Sequence, residues 1–261
     1  MDVPEKWRDR LTIMREKYLS IDQIKDADRI RMVREIFSTI TGKYDFLNHF
    51  LSLRRDIYWR RFAVRRMRFF NSYRFLDVAT GTSDLAIDAA LHYPDIQVTG
   101  LDFVKEMLDQ GVKKIARKKL SPRINLMQGN ALDLPFQDDS FDAAGIAFGI
   151  RNIPDRAGAL KELRRVVIPG GQVLVLEMTF PRISCFTRFF DLYLNRILPF
   201  LARAFSPNPE AYYYLGDSIM AFPTVDRFTG MMKDAGLADV RAYALTLEIC
   251  HLFVGLKAGT K

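Results

Sequence analysis

Between residues 74 and 177 the chain alternates short apolar runs with segments whose apolar residues recur every three or four positions. No other feature restricts its fold as much. Arg74–Ala79, Ile96–Leu101, Arg123–Met127, Phe141–Phe148 and Gln172–Glu177 read as strands. Thr82–Leu91, Lys105–Arg117 and Pro154–Val167 read as helices, with breaks at Pro94 and at Pro169-Gly170-Gly171. Strands joined by helices of this length lie parallel, because the crossover returns the chain to the same end of the sheet. The expected fold is α/β, a Rossmann-like, doubly wound sheet with helices on both faces. After a helix over Thr224–Ala235, Val240–Leu245 and Glu248–Leu256 read as two consecutive strands. Such a terminal hairpin is foreign to a plain dinucleotide-binding sheet.

Residues 1–70 carry no strand pattern. Ile30–Ile40 and Tyr44–Leu53 have helical spacing, and Asp56–Phe70 reads as one helix with an apolar stripe (Ile57, Phe62, Val64, Met67) and an arginine face. The expected organisation is a helical N-terminal cap over 1–70 and a main domain over 71–261, with a helical insertion at 182–223 before the last helix. Within that insertion Arg182–Phe205 is apolar and basic. A helix there puts Phe186, Phe189, Phe190, Tyr193, Ile197 and Leu201 on one face, interrupted near Pro199. It reads equally as an interfacial or lid helix and as a core-packing insertion.

The net charge of +8 resides in residues 1–75, which hold 18 Lys/Arg against 10 Asp/Glu. Such a local excess is either an ordinary solvated face or a contact surface for an anionic partner, nucleic acid or a membrane leaflet. There is no basic-then-apolar leader pattern and no stretch of about 20 apolar residues. Cytoplasmic localisation is the expectation, with peripheral contact at the inner face of the cell membrane. Cys185 and Cys250 lack partner spacing and read as free thiols. A homo-oligomer is compatible with the sequence.

The first strand runs into Asp77-Val78-Ala79-Thr80-Gly81-Thr82-Ser83-Asp84. In open α/β sheets ligands bind beyond the carboxyl ends of the strands, and small residues there let the backbone approach a ligand. The second strand ends in Leu101-Asp102, an acid placed to accept hydrogen bonds from ribose hydroxyls. The G-x-G-x-x-G of nicotinamide binders is absent, since only Gly81 is present, and Asp84 at the helix start would repel a phosphate. A cofactor without phosphate and with a positive centre fits, and S-adenosylmethionine is such a molecule. A tight strand-to-helix turn with no ligand remains the plainer reading of this stretch alone. Further on, Gly129-Asn130-Ala131 follows the third strand, where Asn130 would meet an adenine edge and Ala131 its plane. Leu134-Pro135-Phe136 then leads to Ser140-Phe141-Asp142.

This succession resembles the class I S-adenosylmethionine-dependent methyltransferases over residues 74–256. The resemblance implies seven strands, mostly parallel, ending in a reversed hairpin. One subfamily is closer. Tyr44-Asp45-Phe46-Leu47-Asn48 with Leu51-Ser52 and Trp59, Phe148-Gly149-Ile150-Arg151-Asn152, and Arg165 to Glu177 through Pro169-Gly170-Gly171 resemble motifs of the ubiquinone/menaquinone biosynthesis C-methyltransferases. So does Tyr212-Tyr213-Tyr214-Leu215 with Ser218-Ile219 and Phe222-Pro223. This resemblance implies that Gly81, Thr82, Asp102, Asn130 and Ala131 contact S-adenosylmethionine. It also implies that Tyr44, Asp45, Asn48 and Arg151 face the substrate, a prenylated quinol. The chain departs from the family pattern at Ala79, Ser83 and Arg54, where glycine is usual, and at Leu47 and Ala147.

Carbon methylation needs a nucleophilic ring, so the acceptor is expected to be the reduced quinol, whose phenolate makes the ortho carbon enolate-like. Arg151 would stabilise the phenolate as a fixed cation; a guanidinium stays protonated and is no base. It could instead simply pair with an acid. Asp45, or a water it orders, is the candidate base, with His49 as a second candidate. Tyr44 and Asn48, four apart, would position the ring oxygens. Equally, Asp45 and Asn48 could serve only to cap or bridge helices. The donor is already activated, so no metal is expected. The rival activities are methylation of another small aromatic, of a lipid or of RNA, and a non-catalytic scaffold. No nucleic acid is expected, because the stretch after the fourth strand is Phe148-Gly149-Ile150-Arg151-Asn152 rather than Pro-Pro-aromatic. Demethylmenaquinol and a 2-polyprenyl-6-methoxy-1,4-benzoquinol both fit as acceptors.

Overall fold

The structure is a computed structural model and describes residues 26–41, 44–180, 192 and 210–259. The first 25 residues, Arg182–Phe205 apart from Leu192, and the side chain of Tyr44 lie outside the described residues, and so do the expectations placed on them.

Three helices come first: α1 (Asp26–Ile40), α2 (Tyr44–Leu51) and α3 (Arg55–Val64). The alternating region follows as β1 (Arg74–Val78), α4 (Asp84–His92), β2 (Gln97–Asp102), α5 (Lys105–Arg117), β3 (Ile124–Gln128), β4 (Phe141–Ala147), a 3-10 turn (Ile150–Asn152), α6 (Arg156–Val166) and β5 (Val167–Met178). The chain closes with α7 (Glu210–Met220), α8 (Val225–Asp234), β6 (Leu237–Leu245) and β7 (Cys250–Lys257). The sheet has seven strands in the order β3-β2-β1-β4-β5-β7-β6. Pairings from β3 to β5 are parallel, and β7 is antiparallel to both β5 and β6, as expected.

Each face of the sheet carries its own core. On one, Trp59, Val64 and Met67 join Ala86, Ala89, Ala90 and Ile115 against Phe75, Leu174 and Leu252. On the other, Leu160, Leu163, Phe228 and Met232 cover Leu76, Val78, Val173 and Phe253. Burial on both faces is why the central strands read as apolar runs rather than alternations. The order reverses at β1 and β4, so their carboxyl ends leave the crevice in which such folds bind ligands.

Among the boundaries that differ from the sequence reading (β6, for one, begins at Leu237 rather than Val240), three have a visible cause. The helix expected over Asp56–Phe70 ends at Val64. The buried Asp142 carboxylate on β4 accepts hydrogen bonds from the backbone N–H groups of Phe70, Asn71 and Ser72 (2.8–3.1 Å) and pulls the chain into a turn. Burial alone would raise the Asp142 pKa, but these donors and the Ser72 hydroxyl reverse the effect and hold it low. Second, β5 begins at Val167, not Gln172. Pro169-Gly170-Gly171 makes a bulge inside the strand, where a side chain at Gly171 would lie 2.8 Å from the Asp142 and Ile168 carbonyls. Third, β7 starts at Cys250, because Thr246, Leu247 and Glu248 all take positive φ in the hairpin turn. The Trp59 indole N–H fastens that turn by donating to the Thr246 hydroxyl at 2.8 Å.

Candidate active site

The turn after β1 is held from below and from the side. The buried Asp77 carboxylate accepts from the Thr80 hydroxyl (2.6 Å) and the Ala86 N–H (3.1 Å). Desolvation outweighs those bonds and pushes its pKa up to about 7. From β2, one Asp102 oxygen accepts the Gly81 N–H at 2.7 Å and the other accepts the Val104 N–H at 2.8 Å. Burial raises the Asp102 pKa as well, against the pull of those backbone donors. Ala79 (φ 52) and Ser83 (φ 69) take left-handed backbone at two of the positions where glycine is usual, and Arg54 (φ 62) does so before α3.

A cavity opens over this turn. Gly81, Asp102, Val104 and Met107 form one wall, Asn130, Ala131 and Leu132 a second, and Phe148, Gly149 and Asn152 a third. Ile30, Val33 and Phe37 of α1 close it from above. Gly149 is required by proximity, since a Cβ there would stand 2.7 Å from the Ala79 methyl. The Asn130 carbonyl oxygen accepts from the Leu132 N–H at 3.0 Å, which fixes the plane of its amide. The donor set fits an adenosyl group. The Asp102 carboxylate, held by backbone N–H groups, keeps lone-pair capacity for a ribose hydroxyl, and apolar Val104, Met107 and Leu132 offer a slot for a flat base.

Gly81, Asp102, Asn130 and Ala131, expected at the cofactor, share this cavity. Thr82 stands beside it, and its hydroxyl donates to Asp45 at 2.6 Å. The Asp45 carboxylate also receives Lys114 of α5 at 2.7 Å, and the same ammonium bonds Asp84. Asp84 lies 3.3 Å from Arg60, which pairs with Asp56, which in turn accepts from His49 at 2.7 Å and Ser52 at 2.7 Å. Burial would raise the Asp56 pKa, but Arg60, Ser52 and His49 together hold it low. This chain of charges ties α2 and α3 to the turn after β1. Among the described residues, α2 contributes no wall to the cavity. Asn48 sits half-buried on α2, where its carbonyl accepts the Ser52 N–H.

Arg151 sits in the 3-10 turn after β4 and is buried. Its guanidinium bonds Glu177 at 2.6 Å and the Phe148 carbonyl at 2.7 Å. Arg29 of α1 and Arg156 both donate to the Arg151 carbonyl, at 2.7 and 3.2 Å. The Tyr214 hydroxyl donates to Asn152 at 3.1 Å. Burial raises the Tyr214 pKa, against the pull of Arg29, Arg151 and Arg156. The guanidinium groups of Arg29, Arg151 and Arg156 thus gather around the 3-10 turn beside the Asn152 wall, with Glu177 bound to Arg151.

Arg29, Lys114 and Glu177 were not among the residues singled out in the sequence. Glu177 had a signal, as a carboxylate at the carboxyl end of a strand. Arg29 and Lys114 had none, because each acts on residues 30 or more positions away. Among the described residues no cluster of His, Cys, Asp and Glu is arranged to hold a metal, and no helix is long and apolar enough to cross a membrane.

The sequence model of the ubiE/COQ5 methyltransferase family matches residues 22–257. The ubiquinone/menaquinone biosynthesis C-methyltransferase UbiE of Geotalea daltonii is 42% identical over 89% of the chain and 99% of its own length. The demethylmenaquinone methyltransferases of Deinococcus radiodurans (41%, 88% of the chain, 94% of the relative) and Porphyromonas gingivalis (38%, 89% and 95%) are similar. In fold, the chain resembles a Haemonchus contortus phosphoethanolamine N-methyltransferase solved with S-adenosylhomocysteine (TM-score 0.58, 16% identity, 76% of this chain and 52% of that one). It also resembles a SAM-dependent methyltransferase of Aquifex aeolicus (TM-score 0.54, 15% identity, 76% and 89%).

Proposed function

The chain belongs to the ubiE/COQ5 methyltransferase family and is a quinone C-methyltransferase, and from that premise we propose that its acceptor is a prenylated quinol in the reduced state. The product is menaquinol from demethylmenaquinol, the methylated ring of 2-polyprenyl-6-methoxy-1,4-benzoquinol, or both. One observation carries the reading: the cofactor residues Gly81, Asp102, Asn130 and Ala131 and the family's post-strand residues Phe148, Gly149 and Asn152 line a single cavity.

S-adenosylmethionine, when bound, supplies an activated methyl group on a positive sulfur. Asp102 would accept the ribose hydroxyls, and Asn130 and Ala131 would meet the adenine. Gly81 lets the backbone come close, and Thr82 keeps the turn in place through Asp45. On the acceptor side, the guanidinium groups of Arg29, Arg151 and Arg156 gather at the turn after β4, and their positive charge favours the phenolate over the phenol. Arg151 contributes as a member of that cluster and by fixing the Phe148 carbonyl. A phenol made acidic in this way needs only a weak base, such as water. Asp45, held by Lys114 and Thr82, then serves to lock α2 over the cofactor turn. Phe37, Val33 and Ile30 of α1 exclude water from the reacting carbon.

A prenyl tail resides in lipid while the ring must enter this cavity. The basic excess of residues 1–75 supports peripheral contact with an anionic leaflet on the cytoplasmic side. Binding to anionic vesicles should weaken as salt rises; salt-independent binding would contradict it.

The test of the reaction is transfer of label from S-adenosylmethionine to a short-tailed demethylmenaquinol and a short-tailed 6-methoxy-benzoquinol, each supplied reduced and oxidised. Label on carbon from the reduced forms alone supports the proposal, and the preferred ring names the physiological acceptor. Equal transfer to the oxidised quinones would overturn it.

A further inference from the structure

A second cavity, of about 360 Å³, lies away from the first. Its residues come from the end of α3 and the segment after it (Arg65, Arg66, Arg68), from β5 (Gln172) and from β6 (Asp239, Arg241). Gln172 pairs with Ala143 near the start of β4, whereas the active site lies beyond Ala147 at the other end of that strand. The two cavities are therefore at opposite ends of the parallel strands. Nothing in methyl transfer uses this one.

Four arginines against one aspartate make the cavity strongly positive. Arg66 is held in place: its guanidinium lies 3.4 Å from the Phe62 ring centre and 4.7 Å from that of Tyr243, and it donates to the Phe62 carbonyl. Arg65, Arg68 and Arg241 are exposed around it. Buried Gln172 lines the same cavity at 3% exposure, and its carbonyl oxygen has no hydrogen-bond partner. A buried, unsatisfied amide oxygen is costly unless something donates to it. The register shift of β6 between Ala238 and Arg241 bends that edge strand at the cavity mouth and turns Asp239 and Arg241 toward it. The requirements on a ligand are two: anionic oxygens for the arginine forks, and an O–H to donate to Gln172. A phosphate group that carries a proton or a neighbouring hydroxyl meets both.

We propose that this cavity is a binding site for a phosphate-class anion, separate from the methyl-transfer site and independent of which acceptor that site uses. The phosphate is either free in solution as a small ester or presented by a phospholipid headgroup.

The test uses the full chain in a phosphate-free chloride buffer, with inorganic phosphate and glycerol 3-phosphate as soluble probes followed by calorimetry. Vesicles of phosphatidylcholine with and without phosphatidylglycerol form the other arm. The paired variant Arg65→Ser/Arg241→Ser removes two exposed arginines, and Gln172→Met removes the amide at similar volume. Unchanged S-adenosylmethionine affinity in each variant reports that it is folded. The expected result is saturable binding of a soluble probe, weakened tenfold or more in the paired variant and measurably in Gln172→Met. Phosphatidylglycerol vesicles that bind the chain and are displaced by the soluble probe point to a headgroup; vesicles that do not compete point to a free ester. The proposal is overturned by the absence of saturable binding to any of these probes, or by binding that both variants leave unchanged.

Discussion

The ammonium of Lys114 stands 2.7 Å from the Asp45 carboxylate, 69 residues earlier in the chain, and 3.0 Å from the Thr82 hydroxyl. One side chain of α5 thereby joins α2 to the turn after β1, beneath the cavity. With side-chain exposures of 20% and 32%, the pair is partly shielded from solvent, where ion pairs contribute more than at an open surface.

Lys114→Met and Asp45→Asn should therefore weaken S-adenosylmethionine binding alike, by about tenfold, the equivalent of about 1.4 kcal/mol. Calorimetric titration of both variants checks this. If Asp45 were instead the base, Asp45→Asn would abolish turnover with cofactor affinity intact, and Lys114→Met would not.

Asp102 bears on affinity more directly. Asp102→Ala removes the acceptor for the ribose hydroxyls and releases the Gly81 and Val104 N–H groups. At about 1.5–3 kcal/mol for each hydrogen bond to a charged group, cofactor affinity should fall by a hundredfold or more. Wild-type affinity in the variant would remove the cavity from consideration as the cofactor site.

The Arg151–Glu177 pair is buried on both sides, at 7% and 0% side-chain exposure. Breaking it through Glu177→Gln or Arg151→Ala leaves a buried charge without its partner and should cost about 3–5 kcal/mol in chemical denaturation. A double replacement by methionine should recover much of that stability while turnover stays low, which separates folding from electrostatics. Full turnover in Arg151→Ala would refute the arginine-cluster mechanism.

Asp77 binds its proton more tightly in the folded chain (pKa about 7) than at its ordinary value of 3.8. Between those values the folded state holds a proton that the unfolded state has released. Its contribution to stability is thus present below about pH 4 and is lost as pH rises toward 7, by roughly 2–3 kcal/mol between pH 5 and 8. Asp77→Asn should flatten the denaturation profile over that window. An unchanged slope would assign the pH dependence to other groups.

Arg54→Gly, at an exposed left-handed position, should stabilise the chain by about 1 kcal/mol, since an L side chain is strained there and glycine is not. Ser83→Gly should gain a similar amount, because it also removes a buried hydroxyl without a partner. Destabilisation by Arg54→Gly would mean that the arginine makes a compensating contact.

Much of the fold was legible because the signals are local. The apolar runs of β1, β2 and β4 and the Asp102 and Asn130 positions beyond the strand ends could be read residue by residue. The ends of elements were less so. The stop of α3 is set by Asp142 from 70 or so residues downstream, and the bulge in β5 answers to the carbonyls packed against Gly171. The arginine-rich stretch kept helical spacing to Phe70, and nothing within it announced the turn that Asp142 imposes.

Sequence by itself determined the sheet, its reversed hairpin and the strand-end residues that share the cavity beyond β1 and β4, because periodicity and strand-end chemistry are written in neighbouring positions. Tertiary structure alone decided the electrostatic partners: Arg151 with Glu177, Asp45 with Lys114, and Arg29 brought from α1 onto the turn after β4. A charge chooses its partner by distance in space, and a buried one cannot go without, yet no spacing along the chain encodes which distant residue the fold will deliver.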